Sequence, residues 1–600
     1  MIILGFSCLF HDSSICVLNN GQIEFAAQEE RFSRIKFDNS FPKKSIIKYL
    51  ETFGRSLSDI SHIVYYEKPL KKIDRQLSNY LHFSPKGLKS FKANIENLVA
   101  NDFMSENFFK KKFKEIDNTF NQKIFFSQHH HSHASSAFFP SNFKESAIVT
   151  LDGIGEFNST TISFGNDNKI EYLSNIDYPN SLGLLYSAFT YYLGFKVNSG
   201  EYKLMGLAPY GEPKYYDKIV NNLIDIKNDG SFRLDKSFFN FMTGFTMITK
   251  KFEDLFGTPP KKSNDEFNQF HKDIASSIQK VTEEIVIKIC QHAYEITKSE
   301  NICLAGGVAL NCVANGKILK NTNFKNIWIQ PASGDSGGSL GACLNLYYSH
   351  LNKKRVVTDK DSMKSSYLGT EYNNNSIKEL LNNSGFKFKY INDDDLSKVI
   401  ASEIEKKNAI GWFQGKMEFG PRALGNRSII ADPRDPKMQR NLNLKVKFRE
   451  SFRPFAPVVM EDLCHEFFED NHISPYMLLV SKIKEKHLKR TNNFDINETR
   501  SIVPAVTHVD YSARIQTVNK DSNRKLYNLI NEFYKITNIP MLVNTSFNLR
   551  GEPIVESPMD ALRCFMSNEL DILVLENFVL YKLDQSEHLY LNKETTFELD

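Results

Sequence analysis

The sequence predicts an α/β protein of two domains, the first of them internally duplicated. The N-terminus reads IILGFS, a loop, SSICVLNN, Gly21 and QIEFAAQ. That order is strand, loop, strand, tight turn and strand, with the hairpin signal at Asn20-Gly21. The same layout returns over 147–173 as AIVTL, the loop DGIGEFNS, TTISFG, the turn NDN and KIEYL. Further on, residues 350–365 (HLNKKRVVTDKDSMKS) are polar and charged and mark a boundary. The expected domains are therefore 1–355 and 366–600.

Two copies of one strand-loop-hairpin unit match the plan of the duplicated fold of actin, the sugar kinases and the heat-shock chaperone ATPases, which bind nucleotide between their halves. Two unrelated hairpins would give the same letters. Between the copies, 70–122 is rich in Lys and Phe without clear strands and reads as a helical insertion. Helical periodicity dominates 266–300. The strand NICLA then runs into Gly306-Gly307 and the helix-like VALNCVANGKIL, and NIWIQ precedes the Gly-rich PASGDSGGSLGACLNLYY.

Six hundred residues exceed a single hydrophobic core. Seventy-five basic against 71 acidic residues leave a net charge of +4, so nucleic acid is not demanded as a partner. No apolar run approaches a membrane span, and strand-like residues start at Ile2 with no signal peptide ahead of them. The eight cysteines include no CxxC pair, and several sit in apolar runs. Buried free thiols in a reducing cytoplasm are the plain expectation.

The string SQHHHSHASSAFFP carries the first chemistry. On a helix from about Ser127, His129 and His133 at i and i+4 share one face, a spacing that suits a divalent transition metal. Asp152, after strand AIVTL, and Asp335, in SGDSGG, are available carboxylates at strand ends. A surface histidine cluster, or satisfied core histidines, would read the same way. The Gly-rich junctions LAGGVALN and SGDSGGSLG can bring backbone N–H groups to phosphate or ribose, although glycines also make ordinary turns. His11 lies in the first loop, beside Asp12, with an ordinary pKa suited to general-base work; bonding a loop carbonyl is the alternative.

The second domain carries a different cluster. GWFQGKMEFGPRALGNRSIIADPR holds Arg422, Arg427 and Arg434, and KVKFRESFRPFAPV holds Lys445, Lys447, Arg449 and Arg453. So many cations among glycines and prolines point to an anion site, with some of the arginines structural. NTSFNLRGEP adds Asn544, Ser546 and Asn548 as neutral donors.

Together HHHSHASSAFFPS, DGIGE, GEYKLMGLAPYG, GGVALNCVANGKI, GKMEFGPRALGNRSIIADPR, HVDYSARIQTV and NTSFNLRGEPIV, in order from Leu4 to about Leu580, resemble the motif set of the NodU/CmcH carbamoyltransferases. The resemblance implies a threonylcarbamoyl-transferase-like first domain and a YrdC-like second one. It implies that the second domain turns carbamoyl phosphate and ATP, with Mg2+, into carbamoyl-adenylate. The first then moves the carbamoyl group to a small-molecule hydroxyl beside an Fe2+ ion. By motif, the metal ligands are His129, His133, Asp152 and Asp335, and the transfer site adds His11, Lys36 and His130. Adenylate contacts fall to Lys203, Gly206, Gly306, Gly307 and Asn311. Carbamoyl phosphate and ATP fall to Arg422, Lys447, Arg453, Arg514, Asn544 and Ser546. A homodimer is common in the family. The instability of carbamate in water calls for an enclosed intermediate.

The nearest rival is tRNA threonylcarbamoylation, opposed by the balanced charge and the absence of a basic tail. A sugar or acetate kinase would need neither the histidine pair nor the second domain. A catalytically dead nucleotide sensor would not need the histidines, aspartates and arginines. The identity of the acceptor has no signature in the sequence.

Overall fold

IILGFS forms strand β1 (Ile2–Ser7), antiparallel to β2 (Ser14–Asn19), which pairs with β3 (Gln22–Gln28) across the Asn20-Gly21 turn. On the other side of β1, β4 (His62–Tyr65) and β5 (Ile124–Phe126) add in parallel, giving the order β3-β2-β1-β4-β5. A second sheet repeats the plan with β6 (Glu145–Leu151), β7 (Asn158–Asn166) and β8 (Lys169–Asp177). After a small hairpin, β9 (Ile224–Ile226) and β10 (Phe232–Leu234), come β11 (Asn301–Ala305) and β12 (Asn326–Ile329). Its order is β12-β11-β6-β7-β8, with the same pattern of parallel and antiparallel pairs. The two hairpins are thus halves of one duplicated unit. This computed structural model describes residues 1–262, 265–450, 452–489, 499–586 and 589.

The two halves exchange helices. The His129–Phe138 helix follows β5 but packs on β6 and β11, whereas the Ser336–Leu344 helix follows β12 but packs on β1, β2 and β4. Between the sheets these helices pack on each other. Both are almost wholly buried and built from small residues, Ser and Ala in the first and Gly, Ser and Ala in the second. The close approach has a chemical reason. A Cβ on Gly341 would fall on the Ser132 carbonyl, and one on Gly5 of β1 would fall on the Ser339 carbonyl. Only hydrogen fits at either place.

The 70–122 stretch contains helices Pro69–Phe83, Leu88–Ala100 and Glu106–Lys114. The long Gln269–Thr297 helix starts at Asn268, whose side chain accepts the His271 N–H, and ends at Lys298 in the left-handed region. All eight cysteines are free and buried. Among the described residues no helix is long and apolar enough to cross a membrane.

The chain divides by packing into Met1–Glu29 with Asp38–Ser362, and Glu30–Phe37 with the chain from Met363 onward. The early excursion interrupts the span expected for the first domain. Its anchor is Arg34, which donates to Glu552 (2.8 Å) and to the carbonyls of Ile554 (2.7 Å) and Pro553 (3.0 Å), with Arg31 donating to the Gly420 carbonyl (2.8 Å).

The second unit is built on one mixed sheet of β13 (Lys389–Tyr390), β14 (Ile410–Phe413), β15 (Arg427–Ala431), β16 (Ala456–Met460), β17 (Leu479–Lys482), β18 (Ser512–Val518), β19 (Met541–Ser546), β20 (Ile572–Leu575) and β21 (Phe578–Tyr581). Their order is β13-β21-β20-β14-β15-β19-β16-β18-β17. Helix Arg524–Thr537 turns Leu526, Leu529, Ile530 and Phe533, one face at helical spacing, into its core. Asn523 caps its start and Asn538, left-handed, ends it.

Gly341→Ala should destabilise the first unit by about 1–3 kcal/mol, because the added methyl forces the exchanged helices apart. A lower urea midpoint in the variant checks this; an unchanged midpoint would show that the crossing is loose.

Candidate metal centre and anion site

The exchange of helices brings four candidate ligands together. His129 and His133 come from the helix after β5, Asp335 from the start of the equivalent helix after β12, and Asp152 from the loop after β6. One ligand atom from each lies within 4.8 Å of all the others, and all four residues are buried. His129 Nε2 is 2.9 Å from Asp152 Oδ2 and 3.1 Å from His133 Nε2. Asp335 Oδ1 is 3.7 Å from both imidazoles. Metal–ligand bonds of about 2.0–2.2 Å put neighbouring donors about 3 Å apart, so the spacing is that of a coordination polyhedron. Two buried imidazole nitrogens at 3.1 Å can share either a proton or a cation. The residues therefore fit a divalent metal, and mixed nitrogen and oxygen donors suit iron, zinc or manganese.

The surrounding groups hold the ligands in place. Gly307 N–H donates to Asp152 Oδ1 (2.9 Å), and Tyr66 O–H donates to Asp335 Oδ2 (3.5 Å). Glu156 of DGIGE accepts the N–H of His129 (2.9 Å) and of Lys68 (2.9 Å), a carboxylate at the N-terminus of the histidine helix. Glu67 places Oε2 at 3.9 Å from His129 Nδ1 and pairs with Lys72 at 2.9 Å. Burial alone would lower the His133 pKa; hydrogen bonds and charge from Asp152 and Asp335 outweigh it and hold it at about 9. Asp152 is held well below the usual carboxylate range, because its two histidines outweigh a burial that would raise it.

The other expected residues of the first unit fall in several places. His130 is a satisfied core histidine: Nε2–H donates to the Asn158 carbonyl (2.9 Å), and Nδ1 accepts from the Thr150 hydroxyl (2.7 Å). Burial and the neighbouring histidines push it down to about 3, so it stays neutral. His11 sits between Asp12 (3.3 Å) and the Asn198 carbonyl (3.1 Å). Burial lowers its pKa, but Asp12, with a contribution from Asp335, raises it to about 10. An imidazole so placed is an imidazolium at neutral pH, a proton donor and cation before it is a base. Gly306 and Gly307 stand at the end of β11 beside Asp152. Asn311 caps the next helix through Ala314 N–H (3.1 Å) and shares its amide with Gln279 (3.1 Å). Lys203 and Gly206 lie on helix Glu201–Leu207, against the long helix.

In the second unit the sheet sorts the cations. Lys447 is buried and donates to the Ser546 carbonyl (2.8 Å), the Ser546 hydroxyl (3.1 Å) and the Asn548 carbonyl (3.0 Å). Burial, then the charge of Arg449, pushes it well below the usual lysine range. Asn544, on β19 beside β15, donates to Gln516 (2.7 Å) and to the Ala423 carbonyl (3.2 Å), while its own side-chain oxygen is buried without a protein partner. Arg453 pairs with Glu450 (3.1 Å), and its carbonyl is held by Asn443 and Gln439. Arg514 lies on β18 near His508, and Arg422 in the loop before β15. Lys36 belongs to the Glu30–Phe37 segment of this unit, where its charge reaches Lys447.

Arg427 and Arg434 are structural. Arg427 is fully buried over the Phe413 ring (3.6 Å) and donates to the carbonyls of Gln414, Gly415, Asn426 and Thr370; Arg434 pairs with Asp432 (2.7 Å). Reading the motifs missed the group that shapes the Gly-rich loop. Glu418 accepts the N–H groups of Leu424 (2.8 Å), Asn426 (2.8 Å) and Arg427 (3.2 Å) through one oxygen. Its position in KMEFGPRALGN was the available signal.

Residues 2–344 match the family described as Carbamoyltransferase N-terminus, and residues 401–582 the one described as Carbamoyltransferase C-terminus. The chain belongs to the carbamoyltransferase family and is a carbamoyltransferase enzyme. It is 49% identical over the whole of both chains to the uncharacterized protein sll1178 of Synechocystis. Nodulation protein NolNO of Sinorhizobium fredii is 36% identical over 95% of this chain and 79% of that protein. A solved structure of full-length HypF in the phosphate- and nucleotide-bound form covers 59% of this chain and 56% of its own, at 14% identity and a TM-score of 0.33.

His133→Ala should abolish stoichiometric metal in the purified protein, measured by elemental analysis. Full occupancy in that variant would mean that the ion sits elsewhere.

Proposed function

We propose that this carbamoyltransferase uses ATP: the second unit converts carbamoyl phosphate and ATP with Mg2+ into carbamoyl-adenylate, releasing phosphate and pyrophosphate, and the first transfers the carbamoyl group to a small-molecule hydroxyl, whose proton is lost as AMP leaves. The observation that carries the reading is the pairing on one chain of a buried two-histidine, two-aspartate cluster with a collection of cations and amides about the inner strand β19. Each half of such a reaction needs one of these sites.

In the second unit, Arg422, Arg453 and Arg514 supply guanidinium forks for phosphate oxygens, and Asn544 and Ser546 supply neutral polar groups. Lys447 presets the Ser546–Asn548 turn. In the first unit, His129, His133, Asp152 and Asp335 would hold the metal, with Fe2+ the favoured ion. When bound, the ion supplies a Lewis acid for a carbonyl or phosphoryl oxygen. Gly306 and Gly307 offer backbone N–H groups where the adenylate phosphate would lie. His11 near Asp12 has two tasks within reach: steadying negative charge on the leaving phosphate as an imidazolium, or taking the acceptor proton once deprotonated. A cation shared with Asp335 weakens the pull of that carboxylate and so favours the second task. The alternative, tRNA threonylcarbamoylation, would require a salt-dependent complex with tRNA.

The two half-reactions should separate by mutation. Arg453→Ala removes a charge-assisted phosphate contact of about 1.5–3 kcal/mol, slowing adenylate formation about tenfold or more. His11→Ala should leave that step intact and block transfer. When carbamoyl-adenylate is supplied directly with a working acceptor, Arg453→Ala should carbamoylate normally and His11→Ala should not. The reverse pattern would exchange the two assignments.

A further inference from the structure

We propose that a cavity between the helical insertion and the loop at 241–244 binds the acceptor, and that the acceptor is a neutral or anionic, hydroxyl-rich ring compound rather than a polycation. The inference rests on the carbamoyl-transfer reading and adds the class of acceptor to it.

The cavity lies entirely in the first unit and has a volume of about 460 Å³, within the range of sites that enclose small organic ligands. Its walls adjoin the loops that carry His11 and Asp152. Phe10 precedes His11 in the chain, and Ile154 follows Asp152 by two residues. Arg75 lines it and donates to the Gly155 carbonyl in the same loop as Asp152. Lys72 lines it and pairs with Glu67, the carboxylate beside His129. A ligand filling this space has one end close to the four-residue cluster.

The far wall is made of two kinds of group. Gln76, Asn79, Asn94 and Asn97 bring primary amides, each able to donate and accept, as a hydroxyl does. The Gln76 side-chain oxygen is buried with no hydrogen-bond partner in the protein, so an acceptor there is left for a ligand O–H. Tyr80 and Phe91, on successive helices of the insertion, stack at 4.3 Å and 10°, and Phe83 and Phe241 stand with them. Amides beside flat rings suit a molecule with hydroxyls at its rim and an apolar C–H face.

Charge narrows the choice. The lining holds Lys72, Arg75 and Lys86 and no Asp or Glu. A polyammonium compound entering it would lose hydration without gaining a carboxylate from the lining and would meet the like charges of Arg75 and Lys86, Lys72 being already paired with Glu67. A carboxylate or phosphate on the ligand would meet the opposite situation.

Full-length protein titrated with phenyl β-glucoside, phenyl β-glucuronide and tobramycin, followed by saturation-transfer NMR, tests this directly. Both glycosides should bind, with tobramycin at least tenfold weaker. Gln76→Leu and Tyr80→Ala should each weaken glycoside binding at least tenfold. Lys86→Glu, at an exposed position that tolerates change, should lose the preference for the glucuronide. Failure of both glycosides to bind, binding that persists in both Gln76→Leu and Tyr80→Ala, or tighter binding of tobramycin would overturn the proposal. Pyrophosphate release from ATP by the wild-type protein, dependent on carbamoyl phosphate, decides the carbamoyl-transfer reading separately, and the binding result stands whichever way that falls.

Discussion

The first unit depends on a contact that leaves no room for a side chain. Helices His129–Phe138 and Ser336–Leu344 cross where Gly341 meets the Ser132 carbonyl, each having left its own half to pack on the other's sheet. Because packed interiors yield little, this crossing fixes the distance between the histidine pair and Asp335. The third partner, Asp152, is held by a backbone N–H at the end of β11, so no ligand depends on a flexible loop for its position. Four buried polar side chains without a cation would be costly, and the fold accepts them because the exchanged helices give them one another.

The second unit handles buried charge differently. Arg427 is surrounded by carbonyl oxygens and an aromatic face rather than by a carboxylate partner within bonding distance, and Lys447 by a serine and an asparagine with their carbonyls. Many neutral acceptors disperse one positive charge and fix the loops that supply them. Glu418 does the converse, collecting three N–H groups of the Gly-rich loop. Arg453, by contrast, has a carboxylate partner in Glu450, 3.1 Å away. Counting arginines in the motif could not reveal this, because it is set by partners as distant in sequence as Thr370 for Arg427.

Much of the architecture was legible because it is periodic or repeated. The hairpin copies, the long helix and the i, i+4 histidines all carry local signals. What escaped were relations between distant residues. The i, i+4 spacing separates His129 and His133 from His130, but nothing local shows that Thr150 and the Asn158 carbonyl satisfy His130 within the core. Glu67 and Glu156 bear on the histidine helix from 62 and 27 residues away in sequence. The departure of Glu30–Phe37 to the other unit is specified by Arg34 and its partners near residue 552, beyond any window of sequence.

The duplication also explains where the chain was free to vary. Within the first half, the link from β4 to β5 has grown into the helices at 69–114; within the second, the corresponding link from β11 to β12 is a short 3-10 turn, Gly307–Leu310, and one α-helix, Cys312–Asn321. Growth there lies instead between β8 and β11, including the loop at 241–244. The paired strands and exchanged helices must keep their geometry for the ligands to converge, so they cannot absorb insertions. Segments that leave this core and return to it are under no such constraint. One from each half meets at the cavity containing Tyr80 and Met242, beside loops that carry His11 and Asp152. In this fold the duplicated core carries the buried histidine–aspartate cluster, and the unduplicated segments line the cavity beside it.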